Sequence, residues 1–333
     1  MSEEYYLAIE TSCDETCSSI INSDGNIISN VVFSQAEIHN KYGGVLPDIA
    51  SKNHAEKIGV VIEESLQKAN IELKEVKKVF VTNGPGLINC LMIGVTAART
   101  ISLINQIPVY PINHVEGHIA SCFIEHKITF PALCLVVSGG HTSMFMLYNS
   151  KEFNLIGNTV DDAAGEAFDK GAKILGLGYP GGILIDKLSK NVKKDFYKFP
   201  IAKMGKNSLN FSFSGLKTSL KYYLDKNKDW EKNLNQIAAS YQEAIVDSLL
   251  ENLLKAFKKF NPSSIMITGG VACNSRLRSK AEEAFKNKTK VFIPSIQYCT
   301  DNAAMIGKRG FQLENDLNLK GEFEVFSTSK KLV

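Results

Sequence analysis

An α/β protein of two lobes, both built on one supersecondary plan, is what the sequence predicts. Three observations lead there. The 333 residues, 44% hydrophobic and 22% charged, are long for a single core and ample for two. A pair of strands joined by a turn, then a helix, a buried strand and a small-residue turn occur in that order twice, which marks internal duplication. Apolar strands end repeatedly on glycines, where the backbone can approach a ligand closely.

In the first copy, Tyr5–Glu10 is a short apolar strand. Residues 16–21 and 26–32 are strand-like, and Ser23-Asp24-Gly25 is a hairpin turn between them. Residues 53–69 have helical spacing, with Ile58, Val61, Ile62 and Leu66 on one face. Residues 78–82 form a buried-type strand ending in Asn83-Gly84-Pro85-Gly86, with a helix expected to follow through Ala98. In the second copy, residues 132–138 are an apolar strand ending in Gly139-Gly140. Residues 142–148 and 152–156 follow, with Asn149-Ser150 as the turn, and then Ser264–Thr268 ends in Gly269-Gly270 before a helical segment at 274–285. An extra stretch, about 187–232, belongs to this copy. The plan resembles the duplicated actin-like (sugar kinase/heat-shock-70/actin) two-lobed ATPase scaffold. The expected division is 1–112 plus about 302–333 for the N-terminal lobe and 113–301 for the C-terminal lobe.

Composition narrows the function classes. No apolar run approaches the roughly 20 residues of a bilayer span, and the opening Met1-Ser2-Glu3-Glu4 is acidic, unlike a secretion leader. A cytoplasmic location with no membrane attachment is expected. Seven scattered cysteines without a C-x-x-C pair fit reduced thiols. Net charge is +3, yet 187–232 holds twelve lysines against four acidic residues. That excess would suit a phosphate-rich partner, but by itself it more often marks a solvated helical face.

Glycine turns at strand ends let N–H groups reach phosphate oxygens. The candidates are Ser138-Gly139-Gly140-His141-Thr142, Thr268-Gly269-Gly270, Pro180-Gly181-Gly182 and Gly84-Pro85-Gly86, and four of them in one duplicated plan point to a nucleotide cleft. The first turn, Ile9 to Thr16, lacks the glycine of ordinary ATPases of this scaffold and carries Asp14 and Glu15 instead. Two carboxylates repel a triphosphate, which argues against plain kinase chemistry.

His114 and His118 are four residues apart and so share a helix face. They are either two surface histidines or, with a distant carboxylate, a divalent-metal site. Asp301 is the best third ligand, provided the C-terminal part folds back beside the lobe junction, where an ion would face the glycine turns. Glu116 lies about 200° from His114 on a helix, not directly after it as in H-E-x-x-H. A metalloprotease is therefore a poor fit.

These residues together resemble the tRNA N6-adenosine threonylcarbamoyltransferase family, formerly called glycoproteases, in its bacterial and organellar branch. The motifs are IETSCDET (9–16), YGGVLPDIASKNH (42–54), NGPGL (83–87), INHVEGH (112–118), LVVSGGHT (135–142), DDAAGEAFDKGAKILGLGYPGG (161–182), FSFSGLKT (211–218), GGVACNSRLR (269–278) and CTDNAAMIG (299–307). The resemblance implies one divalent ion per subunit, iron(II) or else zinc, on His114, His118 and Asp301. It implies that Val136, Val137, Ser138, Gly139 and Gly140 line the phosphate and acyl region, and that Asp169, Gly182, Asp186 and Asn274 contact the adenosine of threonylcarbamoyl-AMP. It further implies transfer of the threonylcarbamoyl group to N6 of an adenosine in tRNA, next to the anticodon, with release of AMP. A paralogous partner of similar fold and a small ATPase subunit would assist. Asp14 or His141 is a candidate to accept the N6 proton. The 187–232 stretch is a candidate for the tRNA backbone. A nucleotide-sensing scaffold or regulatory ATPase, with a structural metal, is the alternative.

Overall fold

The computed structural model describes residues 4–205, 207–313 and 324–327. Residues 1–3 of the acidic opening and half of the expected C-terminal segment of the N-terminal lobe, 314–323 and 328–333, lie outside them.

The first unit opens with β1 (Tyr5–Glu10), β2 (Glu15–Asn22) and β3 (Ile27–Ser34), an antiparallel meander whose first turn closes through Gly25 N–H to the Asn22 carbonyl. Gly25 has φ +78°, a conformation glycine adopts without strain. Helices α1 (Ala36–Asn40) and α2 (Pro47–Ala69) lead to β4 (Val76–Gly84), α3 (Ile88–Asn105), β5 (Val109–Asn113) and α4 (His114–Glu125). Strands β4 and β5 run parallel to β1. Central β1 is apolar because both its faces are covered: Leu7, Ala8 and Ile9 are fully buried.

The second unit repeats this. Strands β6 (Ala132–Val137), β7 (Thr142–Leu147) and β8 (Phe153–Asn158) form the meander. Helices α5 (Ala164–Ile174), α6 (Gly181–Leu188), α7 (Ser214–Lys226) and α8 (Leu234–Phe260) precede β9 (Ser264–Thr268), α9 (Ser275–Phe285) and β10 (Lys290–Phe292). The chain then returns to the first unit with α10 (Ile296–Cys299) and α11 (Ala303–Leu313). The sheet orders β3-β2-β1-β4-β5 and β8-β7-β6-β9-β10 are the same topology, so the duplication is present strand for strand.

Three expectations need correction. The units divide at 127/128 and 293/294, not at 112/113 and 301/302. The physical reason is the docking of α4 on α11: a Cβ on Gly117 would come within 2.7 Å of Ile306 Cδ1, so the backbones pack closely and α4 belongs to the first unit. The added part of the second copy is also larger than 187–232, since four helices lie between its meander and β9 where the first copy has two. Finally, α3 is by length and composition apolar enough to cross a membrane. Its Cys90, Leu91, Gly94, Val95, Ala98 and Ile101 are buried, and Val95, Ala98 and Ile101 pack in the same core as β1 residues Leu7 and Ile9, whereas Ile88, Met92, Leu103 and Ile104 are exposed.

Candidate active site

The metal candidates lie wholly in the first unit. Asn113, the last residue of β5, caps α4: its Oδ1 accepts from Val115 N (2.9 Å) and Glu116 N (3.2 Å). Such a cap contributes about 1 kcal/mol and starts the helix at His114. His118 follows one turn later, and the two rings lie 4.7 Å apart at 77°. Asn302 caps α11 in the same way, accepting from Met305 N at 3.0 Å, and thereby sets the position of Asp301 just before it. Asp301 Oδ1 comes to 3.2 Å from His118 Nε2 and 3.6 Å from His114 Nε2. The three ligating atoms lie within 4.8 Å of one another.

Every residue of His114-Val115-Glu116-Gly117-His118 has a separate task. The imidazoles face Asp301 and Val115 is buried. Glu116 turns away to Arg309 of α11, with N···O distances of 2.8 and 2.7 Å. Gly117 allows the close crossing of α4 and α11. Glu116 is thus held by a guanidinium and is not placed as the glutamate of H-E-x-x-H.

A divalent ion fits this set. His118 is fully buried; among the described residues its Nδ1 has no hydrogen-bond partner, and its Nε2 has only the 3.2 Å approach of Asp301 Oδ1, which lacks hydrogen-bond geometry. A buried polar group left so is costly, and two imidazoles with one carboxylate form a donor set suited to such an ion. Sequence reasoning did not single out the residues behind it. Glu10, fully buried at the end of β1, accepts from Ser12 N (2.6 Å) and from the Thr82 hydroxyl, and lies 3.4 Å from His114 Nδ1. Ser12 Oγ is 3.1 Å from the same nitrogen. These contacts orient the ring so that Nε2 faces Asp301. Burial alone would push the Glu10 carboxyl up, but the neighbouring His114 and the hydrogen bonds hold it below its usual range. Burial likewise disfavours a charged His114, yet Asp301 and Glu10 raise its pKa to about 9. The pocket favours a positive charge. The signal available in the sequence was a carboxylate ending an otherwise apolar strand.

Asp14 is buried in the turn after β1, and its carbonyl accepts from Gln35 N at 3.0 Å. The turn is braced by His54, which was not singled out either: its Nε2 donates to the Cys13 carbonyl (2.9 Å), so its Nδ1 accepts from Thr16 Oγ1 (2.7 Å). Burial first, then Asp14 and Asp301, push the Glu15 carboxyl well up.

The other candidates lie in the second unit, linked through short contacts. Val136 and Val137 are buried in β6, and their side chains line the strand's packing, with only the turn beyond them open. In that turn Ser138 N donates to the His141 carbonyl (2.8 Å) and His141 N to Ser138 Oγ (3.1 Å). A Cβ on Gly139 or Gly140 would meet nothing within 4 Å, so packing does not require these glycines. Gly165 of α5 abuts Ser138. Asp169 on α5 accepts from Gly181 N (2.8 Å), which places Gly182 in the first turn of α6. Asp186 on α6 accepts from Ser275 Oγ (2.8 Å) at the start of α9. Asn274 caps α9 through Leu277 N (2.9 Å) and donates to Gln242 Oε1 (2.7 Å). Its amide therefore has structural work on both sides.

Comparisons with known proteins identify a family and a fold. The profile of the tRNA N6-adenosine threonylcarbamoyltransferase family matches residues 26–308. A protein of that description from Thermosipho africanus is 47% identical over 92% of this chain and 93% of its own. One from Caldicellulosiruptor saccharolyticus is 43% identical over 97% and 96%. Among solved structures, the (R)-2-hydroxyglutaryl-CoA dehydratase component A of Acidaminococcus fermentans superposes with TM-score 0.56 at 13% identity, covering 93% of this chain and 97% of that one. Full-length HypF gives 0.62 at 14%, covering 96% and 47%. At such identities the likeness is one of fold, the actin-like ATPase scaffold. On the profile and the close relatives together, the chain belongs to the tRNA N6-adenosine threonylcarbamoyltransferase family.

Proposed function

We propose that this chain transfers a threonylcarbamoyl group from threonylcarbamoyl-AMP to N6 of the adenosine next to the anticodon, in tRNAs reading codons that begin with A, and releases AMP. The observation that carries this reading is the convergence of His114, His118 and Asp301 within 4.8 Å, in a chain of this family. A bound divalent ion there, iron(II) with zinc as the alternative, supplies Lewis-acid polarisation of an oxygen. His114, His118 and Asp301 hold it, and Glu10 orients His114.

The remaining work falls to the chain's own groups. The open N–H groups of Gly139 and Gly140 donate to oxygen atoms that gain negative charge. Asp169, Gly182, Asp186 and Asn274 bind the adenosine part, Asn274 through its placement of α9 as much as through its own amide. Asp14 or His141 accepts the N6 proton. The tRNA offers the base from a single-stranded loop, and a paralogous subunit of similar fold and a small ATPase subunit complete the assembly in the cytoplasm.

The test is incubation of the metal-loaded protein with both accessory subunits, tRNA and threonylcarbamoyl-AMP, followed by mass spectrometry of the nucleosides. Appearance of threonylcarbamoyl-adenosine with AMP in equal amount is expected. Its absence, with metal bound and partners present, would reject the transferase in favour of a regulatory ATPase.

A further inference from the structure

Helix α7 carries three different stripes. Leu216, Leu220 and Leu224 are buried and seat it on the second unit. Its start is held by Asp161, whose carboxylate accepts from Phe213 N (2.8 Å) and from the hydroxyls of Ser212 (2.5 Å) and Ser214 (2.8 Å). Along one exposed edge Lys217 and Lys221 border an open hollow of about 500 Å³ with Lys228 and Trp230. Along the other, Tyr222 and Lys226 border a hollow of about 610 Å³ with Tyr197 and Tyr223.

Two features separate this ridge from an ordinary solvated helix. Lys217, Lys221, Lys226 and Lys228 make no ion pair among the described residues, whereas Lys193 and Lys232 nearby are paired with Asp195 and Asp229. Beside them an exposed tyrosine adjoins a packed cluster of aromatic rings. Tyr222 is 64% exposed. Tyr197 and Tyr223 have ring centroids 4.3 Å apart, and Phe199 links them to fully buried Tyr241. Unpaired cations along one edge and a packed cluster of rings on the other match the two surfaces of a single-stranded nucleic acid, phosphates and base faces.

We propose that α7 is an RNA-docking ridge: Lys217, Lys221 and Lys228 hold phosphates, while exposed Tyr222, which shares its hollow with Tyr197 and Tyr223, stacks on an unpaired base. This rests on the tRNA reading above and assigns it a surface and a mode of contact.

Binding of a fluorescent tRNA transcript to the metal-loaded full chain with its accessory subunits, followed by anisotropy at 50 to 200 mM salt, tests it. Tyr222→Ala is expected to weaken binding roughly 5- to 150-fold, the range of one stacked base, with the salt slope unchanged, and Tyr222→Phe to bind like the parent. The pair Lys217→Gln and Lys221→Gln is expected to lower the slope by about 1.5, two phosphate contacts. Parental affinity and slope in all variants would overturn the ridge while leaving the transferase reading standing. Parental tRNA binding with loss of subunit assembly on gel filtration would make α7 a protein interface and overturn it too. A parent with no salt-dependent tRNA affinity would overturn both readings.

Discussion

The two units share a five-stranded sheet of one topology but differ in what occupies the turn after its central strand. In the first, the turn after β1 is filled by side chains: Glu10, Ser12 and Asp14 are buried there, and the imidazoles of α4 close on Asp301. In the second, the equivalent turn after β6 passes through Gly139 and Gly140, where an added Cβ would meet nothing within 4 Å. In the reading proposed above, one copy of the plan holds a cation among buried charged groups, and the other offers backbone groups to an anion. Duplication supplied the frame, and the residues at one strand end decided the chemistry.

The comparison is broken most severely at Asp301. Asp301→Ala should lower metal affinity by more than the roughly 10- to 100-fold typical of changes behind the ligands, and Glu10→Gln should fall within that range. Metal content after dialysis and isothermal titration measure both. Equal affinity in Asp301→Ala would remove this residue from the site.

A glycine pair in the second unit sharpens the same contrast. Gly269 has φ +91°, and a Cβ there would lie 2.3 Å from the Val137 carbonyl oxygen, so Gly269→Ala should destabilise by about 2 kcal/mol or more. Gly140→Ala should change stability by less than about 0.5 kcal/mol while weakening adenylate binding. Denaturant unfolding beside ligand titration distinguishes packing glycines from cradle glycines. Similar stability losses at both would show that Gly140 is structural.

A further contrast concerns acid. Burial works against the Glu243 carboxylate, but hydrogen bonds from Arg276 and Lys280 of α9 bring its pKa down to about 2. Because the folded value lies below the unfolded one, this contribution is complete above about pH 4.5 and is lost as pH falls toward 2. It amounts to something on the order of 2 kcal/mol after allowance for solvent screening. Glu243→Gln should flatten the acid limb of the stability curve, as measured by urea unfolding between pH 2 and 6. An unchanged limb would mean the cluster does not anchor α9.

Much of the fold was legible because strands buried on both faces must be apolar runs, as in β1 and β6, and because glycine turns mark where they end. Helix α8 went unread. Fifteen of its residues, from Ile237 to Ala256, are buried, and a helix covered on most sides lacks the single apolar stripe that periodicity detects. The unit boundary was misread for a related reason. Nothing in the spacing of His114 and His118 tells which lobe their helix joins, since that depends on Glu116 meeting Arg309 nearly two hundred residues later.

By itself the sequence determined the duplicated plan, the glycine turns and the i,i+4 imidazole pair, since each follows from local stereochemistry and short-range periodicity. Only the tertiary structure decided that Asp301 completes the set, that Glu10 stands behind His114, and that the glutamate between the histidines serves as a clamp. Those are contacts between segments far apart in the chain, and packing, not spacing, selects them.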